Sequence, residues 1–358
     1  MKCKLLDICS FRKGKMDIEN LNTKNYISTE NMLPNKCGIT DASSLPTVSL
    51  VQEYKKGDVL VSNIRPYFKK IWQAKYNGGC SNDVLVFVPK SNIDRNFLYY
   101  VLANDDFFTY SMATSKGTKM PRGDKTSIMQ YEVPMFDLNA QNKVASILKS
   151  LDEKIELNNA INNNLEQQAF AIFDNIFPDV SSGNNLIGNI ITPQRGKNLL
   201  SKDAIPGEVP VVAGGLEPAT YHNKPNTTSP VLTISASGAN AGYVNLWNVP
   251  VWSSDSSYID ASMTDNVYFL YVMLKKRQQE IFDAQTGSAQ PHIYPKHIAA
   301  MPVIDLEPNE IVQFTKLVTP LFQAIGINKQ ENIKLAEIRD SLLPKLMSGE
   351  LDVSDINI

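Results

Sequence analysis

The chain has 358 residues, 43% of them hydrophobic and 20% charged, with a formal net charge of -2, which is enough apolar material for two or three domain cores. No apolar run approaches the roughly 20 residues of a membrane span, and residues 1–15 lack the apolar stretch of a secretory signal, so the chain reads as a cytoplasmic protein with no membrane partner. Cys3, Cys9, Cys37 and Cys80 all fall in the first quarter without a C-x-x-C pair and read as reduced thiols, not as a metal or disulfide framework.

In chain order, four segments emerge. Residues 1–138 are mixed in character and carry 19 Lys and Arg against 14 acids, the excess that a phosphate-facing surface requires. Within them, 84–88 reads as a strand between Gly, Pro and Asn punctuation and 96–102 as a helix. Residues 139–182 form a long helical pattern. There Val144, Leu148, Leu151, Ile155, Asn158, Asn162, Leu165, Ala169, Ile172 and Ile176 recur at steps of four and three, the seam of a coiled coil. Residues 183–305 are mixed again, with 8 basic against 9 acidic residues; here 231–234 reads as a strand and 267–274 as a helix. Residues 306–358 return to the helical pattern, with Phe314, Val318, Leu321, Ile325, Asn328, Asn332, Leu335, Arg339, Leu342 and Leu346 each 170 residues after its counterpart.

The chain is therefore written twice. Residues 59–62 can be laid on 231–234, Ser81-Asn82-Asp83 on Ser253-Ser254-Asp255, and Phe97-Leu98-Tyr99 on Phe269-Leu270-Tyr271, all at an offset of 172. Gly117, Pro121 and Ile128 then match Gly287, Pro291 and Ile298 at 170, the drift that small loop insertions leave between two copies. The expected architecture is α/β (α+β), with two similar globular domains held apart by two long antiparallel coiled-coil helices and a pseudo-two-fold axis between the asparagine layers. A helix of about 37 residues would extend roughly 55 Å, about one and a half turns of B-DNA. Two helices each packed on its own globule is the plainer alternative.

Catalytic chemistry is not found. His222, His292 and His297 stand in no metal-ligand spacing, and there is no nucleophile elbow, Walker A run or dinucleotide-binding glycine loop. Residues 63–68, Asn-Ile-Arg-Pro-Tyr-Phe, only superficially suggest the loop with which adenine methyltransferases hold a flipped base, because the proline after Asn is missing.

Two mixed globules, each followed by a long helix, resemble the specificity subunit of type I restriction-modification systems along almost the whole chain. The tail at 341–351, Ser-Leu-Leu-Pro-Lys-Leu-Met-Ser-Gly-Glu-Leu, is similar to the end of that family's second helix. The run Gly-Ser-Ala-Gln-Pro-His-Ile at 287–293 looks like the close of a family target-recognition domain, as do Gly117 to Pro121 and, for a core strand and its turn, residues 58–66. The resemblance implies a non-catalytic subunit of a phage-defence complex. Each domain would read one half of a bipartite duplex DNA target, and the helices would set the gap. Two methyltransferase subunits carrying S-adenosylmethionine would dock on it, and restriction/translocase subunits would join for cleavage. No cofactor is expected in this chain. A non-DNA coiled-coil scaffold and a self-contained DNA-modifying enzyme are the rival readings.

For DNA contact, Arg65, Tyr67, Lys69 and Lys70 form a basic-aromatic loop after a strand, a solubilising loop being the alternative. Lys116, Lys119, Arg122 and Lys125 lie in the Gly-punctuated element, whose counterparts Ser288, Gln290 and His292 offer base readout without net charge. Ser235, Ser237 and Asn240 form a polar turn suited to phosphate or simply to a tight reversal, and Tyr221 and His222 sit in a Pro- and Asn-rich loop. The helix-helix spacer contacts fall on Leu151, Ile155, Asn158, Asn162 and Leu165 and on Leu321, Ile325, Asn328, Asn332 and Leu335. Outward charges such as Lys154, Glu156, Lys334 and Glu337 would meet a methyltransferase subunit or water.

Overall fold

A computed structural model describes residues 2–287, 290–354 and 356. Contacts divide the chain into two compact units, Met1–Ile155 with Lys334–Ile358, and Glu156–Ile333. The boundary between the units falls within each of the two long helices. Each is shared out between the units, because each globule needs part of both helices to close its core.

In the first unit, Cys9–Phe11, Val84–Pro89, Val59–Ser62 and Ile71–Gln73 form an antiparallel sheet in that order. Its central strands are buried on both faces, which is why 59–61 and 84–88 are continuous apolar runs without polar alternation. Val59, Val61, Leu85 and Phe87 point into a core with Phe97, Leu98, Val101 and Phe107, whereas Leu60, Val84 and Val86 point to the other side with Tyr54 and Trp72. A second sheet orders Lys15–Asp17, Leu50–Tyr54, Gly78–Cys80 and Tyr26–Ile27, the last pair parallel. Helix Arg95–Ala103 starts where the Asp94 carboxylate accepts the Phe97 N–H at 2.8 Å, an N-cap that satisfies one of the free donors of the first turn. Val144, Ala145 and Leu148 from the first long helix, with Leu343, Leu346, Met347 and Val353 from the end of the chain, complete this core.

The second unit repeats the plan. Gln194–Arg195, Ser256–Asp260, Val231–Ser235 and Val244–Trp247 form the antiparallel sheet, and Thr220–His222, Val209–Val212 and Trp252–Ser253 a smaller mixed one. Its core is sealed by the helices through Phe173, Phe177, Phe269 and Phe314, whose rings lie 5.1 to 6.0 Å apart, mostly in the edge-to-face geometry that aromatic quadrupoles favour.

The hydrogen-bond register corrects one detail of the repeat. Val59 pairs with Phe87 and Leu232 with Ile259, and Leu232 and Ile234 face the helix-side core as Val59 and Val61 do. The strand Val59–Ser62 therefore corresponds to 232–235, one residue later than identity alone suggests. A one-residue slip would turn every side chain to the wrong face of the sheet.

The long helices run Leu138–Ile176 and Pro308–Ser348, slightly longer than the periodicity indicates. Each position of both seams is buried or half-buried. Partner numbers descend as residue numbers rise, so the pairing is antiparallel within each unit. In the first unit Lys143 Nζ donates to the Ser354 carbonyl at 2.6 Å and Arg339 to Asp152 at 2.8 Å. In the second, Asn158 Nδ2 donates to Asn332 Oδ1 and Asn328 Nδ2 to Asn162 Oδ1, both at 2.8 Å. A shift of 170 residues exchanges these two bonds, as the repeated seam pattern predicts. Glu331 and Asn159 complete the layer, accepting from Asn158 and Asn332 at 2.7 and 2.9 Å.

Replacing Asn162 by Ala leaves the Asn328 amide without its seam partner and is expected to cost about 1–3 kcal/mol. Replacing Asn162 and Asn328 together by Leu recovers that loss. Urea denaturation of the single and double variants measures both, and equal midpoints would contradict the coupling.

Candidate nucleic-acid interface

Loops that stand far apart in sequence are stitched together by backbone hydrogen bonds in the first unit. Arg65 N donates to the Pro121 carbonyl at 2.8 Å, Gly123 N to Asn63 at 3.1 Å, and Lys116 and Arg122 exchange both backbone bonds at 2.9 Å. Residues 35 and 36 join the same face, donating to Phe68 and Lys69 at 2.8 and 2.9 Å. Gly117, at φ +90°, makes the reversal that a side chain would strain. Arg65 and Lys69 hold left-handed conformations, φ 51° and 50°, at the two ends of the short 3-10 turn Pro66–Phe68. Such backbone is costly for residues other than glycine, and it persists only where the surroundings hold it. The turn presents Tyr67 and Phe68, 48% and 38% exposed, with rings 4.6 Å apart.

The basic residues nominated from sequence differ in how free they are. Lys69 shares Asp105 with Lys36, at 2.7 and 2.8 Å. Lys70 donates to the Thr29 carbonyl at 2.6 Å, and burial lowers its pKa. Lys116 pairs with Asp124 at 2.9 Å and Arg122 with Asp83 at 2.9 Å. Lys119 and Lys125 are exposed and have no ion pair among the described residues. The bonds from Lys116 and Ser127 hold the Asp124 carboxyl at about 2. The same carboxylate caps helix Lys125–Ile128 by accepting the Ser127 N–H at 3.0 Å.

The second unit builds the same crossing from different side chains. Ile293 N donates to the Ala236 carbonyl at 3.0 Å, Gly238 N to Pro291 at 3.1 Å, and Thr286 and His292 exchange backbone bonds at 3.0 and 2.8 Å. The Ser237 hydroxyl donates to Asp255, which also accepts from Arg195 Nη2 at 2.5 Å. Asn240 reaches the Gly214 carbonyl only at 3.4 Å. His292 stacks on Tyr294 at 6.0 Å, and Gln290 and Tyr221 are exposed. Two nominations are corrected. His222 is buried, accepts the Ile205 N–H at Nδ1 at 3.0 Å and meets Trp252 edge-on at 5.0 Å, so it fastens a loop and offers nothing to a ligand. Ser235 is buried at a strand end with its hydroxyl unpaired. Ser288 lies outside the described residues.

Sequence reasoning missed Lys36, Asp83, Asp105, Arg195 and Asp255. The signal for Asp83 and Asp255 was present in the Ser81 and Ser253 alignment, but nothing in the order of residues pairs Arg195 with Asp255 or Lys36 with Asp105. Among the described residues no group of His, Cys, Asp and Glu could hold a metal ion, and no helix is long and apolar enough to cross a membrane.

A loop-built polar face is repeated on two mixed sheet-and-helix units, and the comparisons with known proteins concern the chain as a whole. Residues 1–167 match the family model described as type I restriction modification DNA specificity domain. The chain is 26% identical over 313 residues to the type I restriction enzyme MjaIX specificity subunit of Methanocaldococcus jannaschii, covering 75% of this chain and 72% of that one. It is 24% identical over 434 residues to the HindI specificity subunit of Haemophilus influenzae, covering 91% and 94%. The fold is similar to the crystal structure of a type I restriction-modification system S subunit from M. genitalium, with a TM-score of 0.56, 20% identity and coverage of 97% and 96%.

By these matches the chain is similar to the type I restriction-modification specificity subunits, with the family-model match falling on residues 1–167 and the relatives aligning over most of the chain. Members of that family are non-catalytic components that recognise DNA.

Because the folded-state pKa of Asp124 is depressed, its contacts are complete above the ordinary carboxylate range and are lost only as pH falls through about 2. In an NMR titration the Asp124 carboxyl carbon should keep its ionised shift down to about pH 3, and Lys116→Ala should move the midpoint up toward ~3.9. A midpoint unaltered by Lys116→Ala would show that the ion pair does not form.

Proposed function

We propose that each unit reads one half of a bipartite duplex target through its crossing of two loops, while the two long helices set the unspecified gap. The observation that carries this reading is the repetition of the crossing, with the same backbone bonds and different side chains: Arg65, Arg122, Lys69, Lys70, Lys116, Lys119 and Lys125 in one copy, Ser237 and His292, with Arg195 reaching in from an edge strand, in the other. The same scaffold with different decoration is what two half-targets of different sequence demand. Phosphate contacts from exposed cations such as Lys119 and Lys125 would position the complex and be sensitive to salt. Side chains of the crossing would reach base edges in the major groove.

Chemistry belongs to the partners in this reading. Two methyltransferase subunits, each bringing S-adenosylmethionine, dock along the helices, and restriction/translocase subunits join them for cleavage. The chain works in the cytoplasm, where the DNA is. Its own contribution is to choose the site and to hold the methyltransferases in register with it.

Modification-sensitive sequencing of genomic DNA from cells carrying the methyltransferase partner, with and without this gene, tests the proposal. A split motif with a constant gap should become adenine-methylated only when the gene is present. An active partner whose methylation pattern does not change with the gene would refute it.

A further inference from the structure

A carboxylate stands at the same place beneath the crossing in both units. The Asp83 carbonyl accepts the Asn63 N–H at 2.8 Å, and the Asp255 carbonyl accepts that of Ala236 at 3.1 Å. Asn63 and Ala236 in turn accept from Gly123 and Ile293 of the Gly-hinged loops. Both Asp83 oxygens lie on Nη2 of Arg122, at 2.9 and 3.0 Å. Asp255 takes Nη2 of Arg195 at 2.5 Å on one oxygen and the Ser237 hydroxyl on the other. The exposures match as well: the carboxylates are 34% and 33% exposed, the arginines 57% and 43%.

The two arginines are not repeat partners. Arg122 comes from the Gly117 loop, where the second unit has His292, whereas Arg195 comes from the edge strand Gln194–Arg195. A shared acid engaged by arginines from different segments is not one inherited ion pair. Nor is stability a sufficient reason for it, because half-exposed ion pairs contribute little. What the acid does is aim the cation. A guanidinium carries five N–H donors, and in both arginines only Nη2 is engaged by a side chain. Nε and Nη1 have no partner among the described residues. An arginine held by one nitrogen keeps donors free for O6 and N7 of a guanine and loses less side-chain freedom when it binds.

We infer that Arg122 and Arg195 are specificity-determining residues, one for each half of the target, and that Asp83 and Asp255 are positioning residues that direct them toward base edges. The inference rests on the DNA-reading function proposed above and assigns it to particular side chains.

The test uses the complex assembled with its methyltransferase partner. Duplexes randomised at the half-target positions found for the unaltered protein are methylated, and the modified products are sequenced. Arg122→Lys keeps the charge but removes the fork. It should relax base preference about tenfold at one or two positions of one half while the other half is read as before. Arg195→Lys should do the same to the other half. Asp83→Asn and Asp255→Asn should each reproduce the profile of their own arginine variant in weaker form.

Several results would overturn the inference. A uniform loss across all sequences with a shallower salt dependence would make the arginines phosphate contacts. A lower melting temperature with unchanged base preference would make the carboxylates merely structural. Unchanged profiles in all four variants would also sink it. A complex of the unaltered protein that methylates no split motif would instead remove the DNA-reading function, so the two failures are distinguishable.

Discussion

Neither globule can close its core without the helix pair. The sheet of the first unit offers Val59, Val61, Leu85 and Phe87 to a layer completed by Val144, Leu148, Leu343 and Leu346, and the second unit relies on Phe173, Phe177, Phe314 and Val318 in the same way. Burying such side chains is the principal driving force for folding. Here it forces both long helices into both units. The asparagine layer then sets the register: Asn158 bonds Asn332 and Asn328 bonds Asn162 across the seam, and any slide of one helix along the other would leave buried amides unpaired.

In the proposed function the loops at the sheet edges carry recognition. The crossing of residues 63–70 with 116–125, and its twin of 236–240 with Thr286 and 290–293, is built from backbone bonds that do not depend on side-chain identity. Side chains can therefore differ between the copies without loss of the frame. The first copy spends much of its positive charge internally, on Asp83, Asp105 and Asp124, so the net basicity of that segment overstates the free cations it shows to a phosphate backbone. The ion pairs also hold Arg122, Lys116 and Lys69 in defined directions.

Periodic features were legible without coordinates. The seams, the asparagine layer, the two-copy plan and the strand and helix runs of 84–88, 96–102, 231–234 and 267–274 all fall where spacing places them, because burial on one helix face or inside a sheet leaves a repeating trace. Identity matching failed by one residue at Val59–Ser62, since apolar runs such as Val-Leu-Val and Val-Leu-Thr align equally well in either pleat. His222 and Ser235 looked available because polar residues in a loop and at a strand end resemble surface, and only packing against Trp252 and the strand-end position showed them enclosed. The acids that neutralise the nominated cations could not be identified, as each lies 8 to 39 residues away along the chain.

Composition and periodicity by themselves determined the two-fold repeat, the α/β character and the long helices, which follow from local preference and from the spacing of apolar residues, while the family resemblance rested on particular runs such as 287–293 and 341–351. Only the tertiary structure decided which loops share a face, which arginines pair with Asp83 and Asp255, which polar residues are enclosed, and how each helix is divided between the units. Those outcomes depend on contacts between segments distant in sequence, where backbone hydrogen bonds and charge pairing leave no periodic mark.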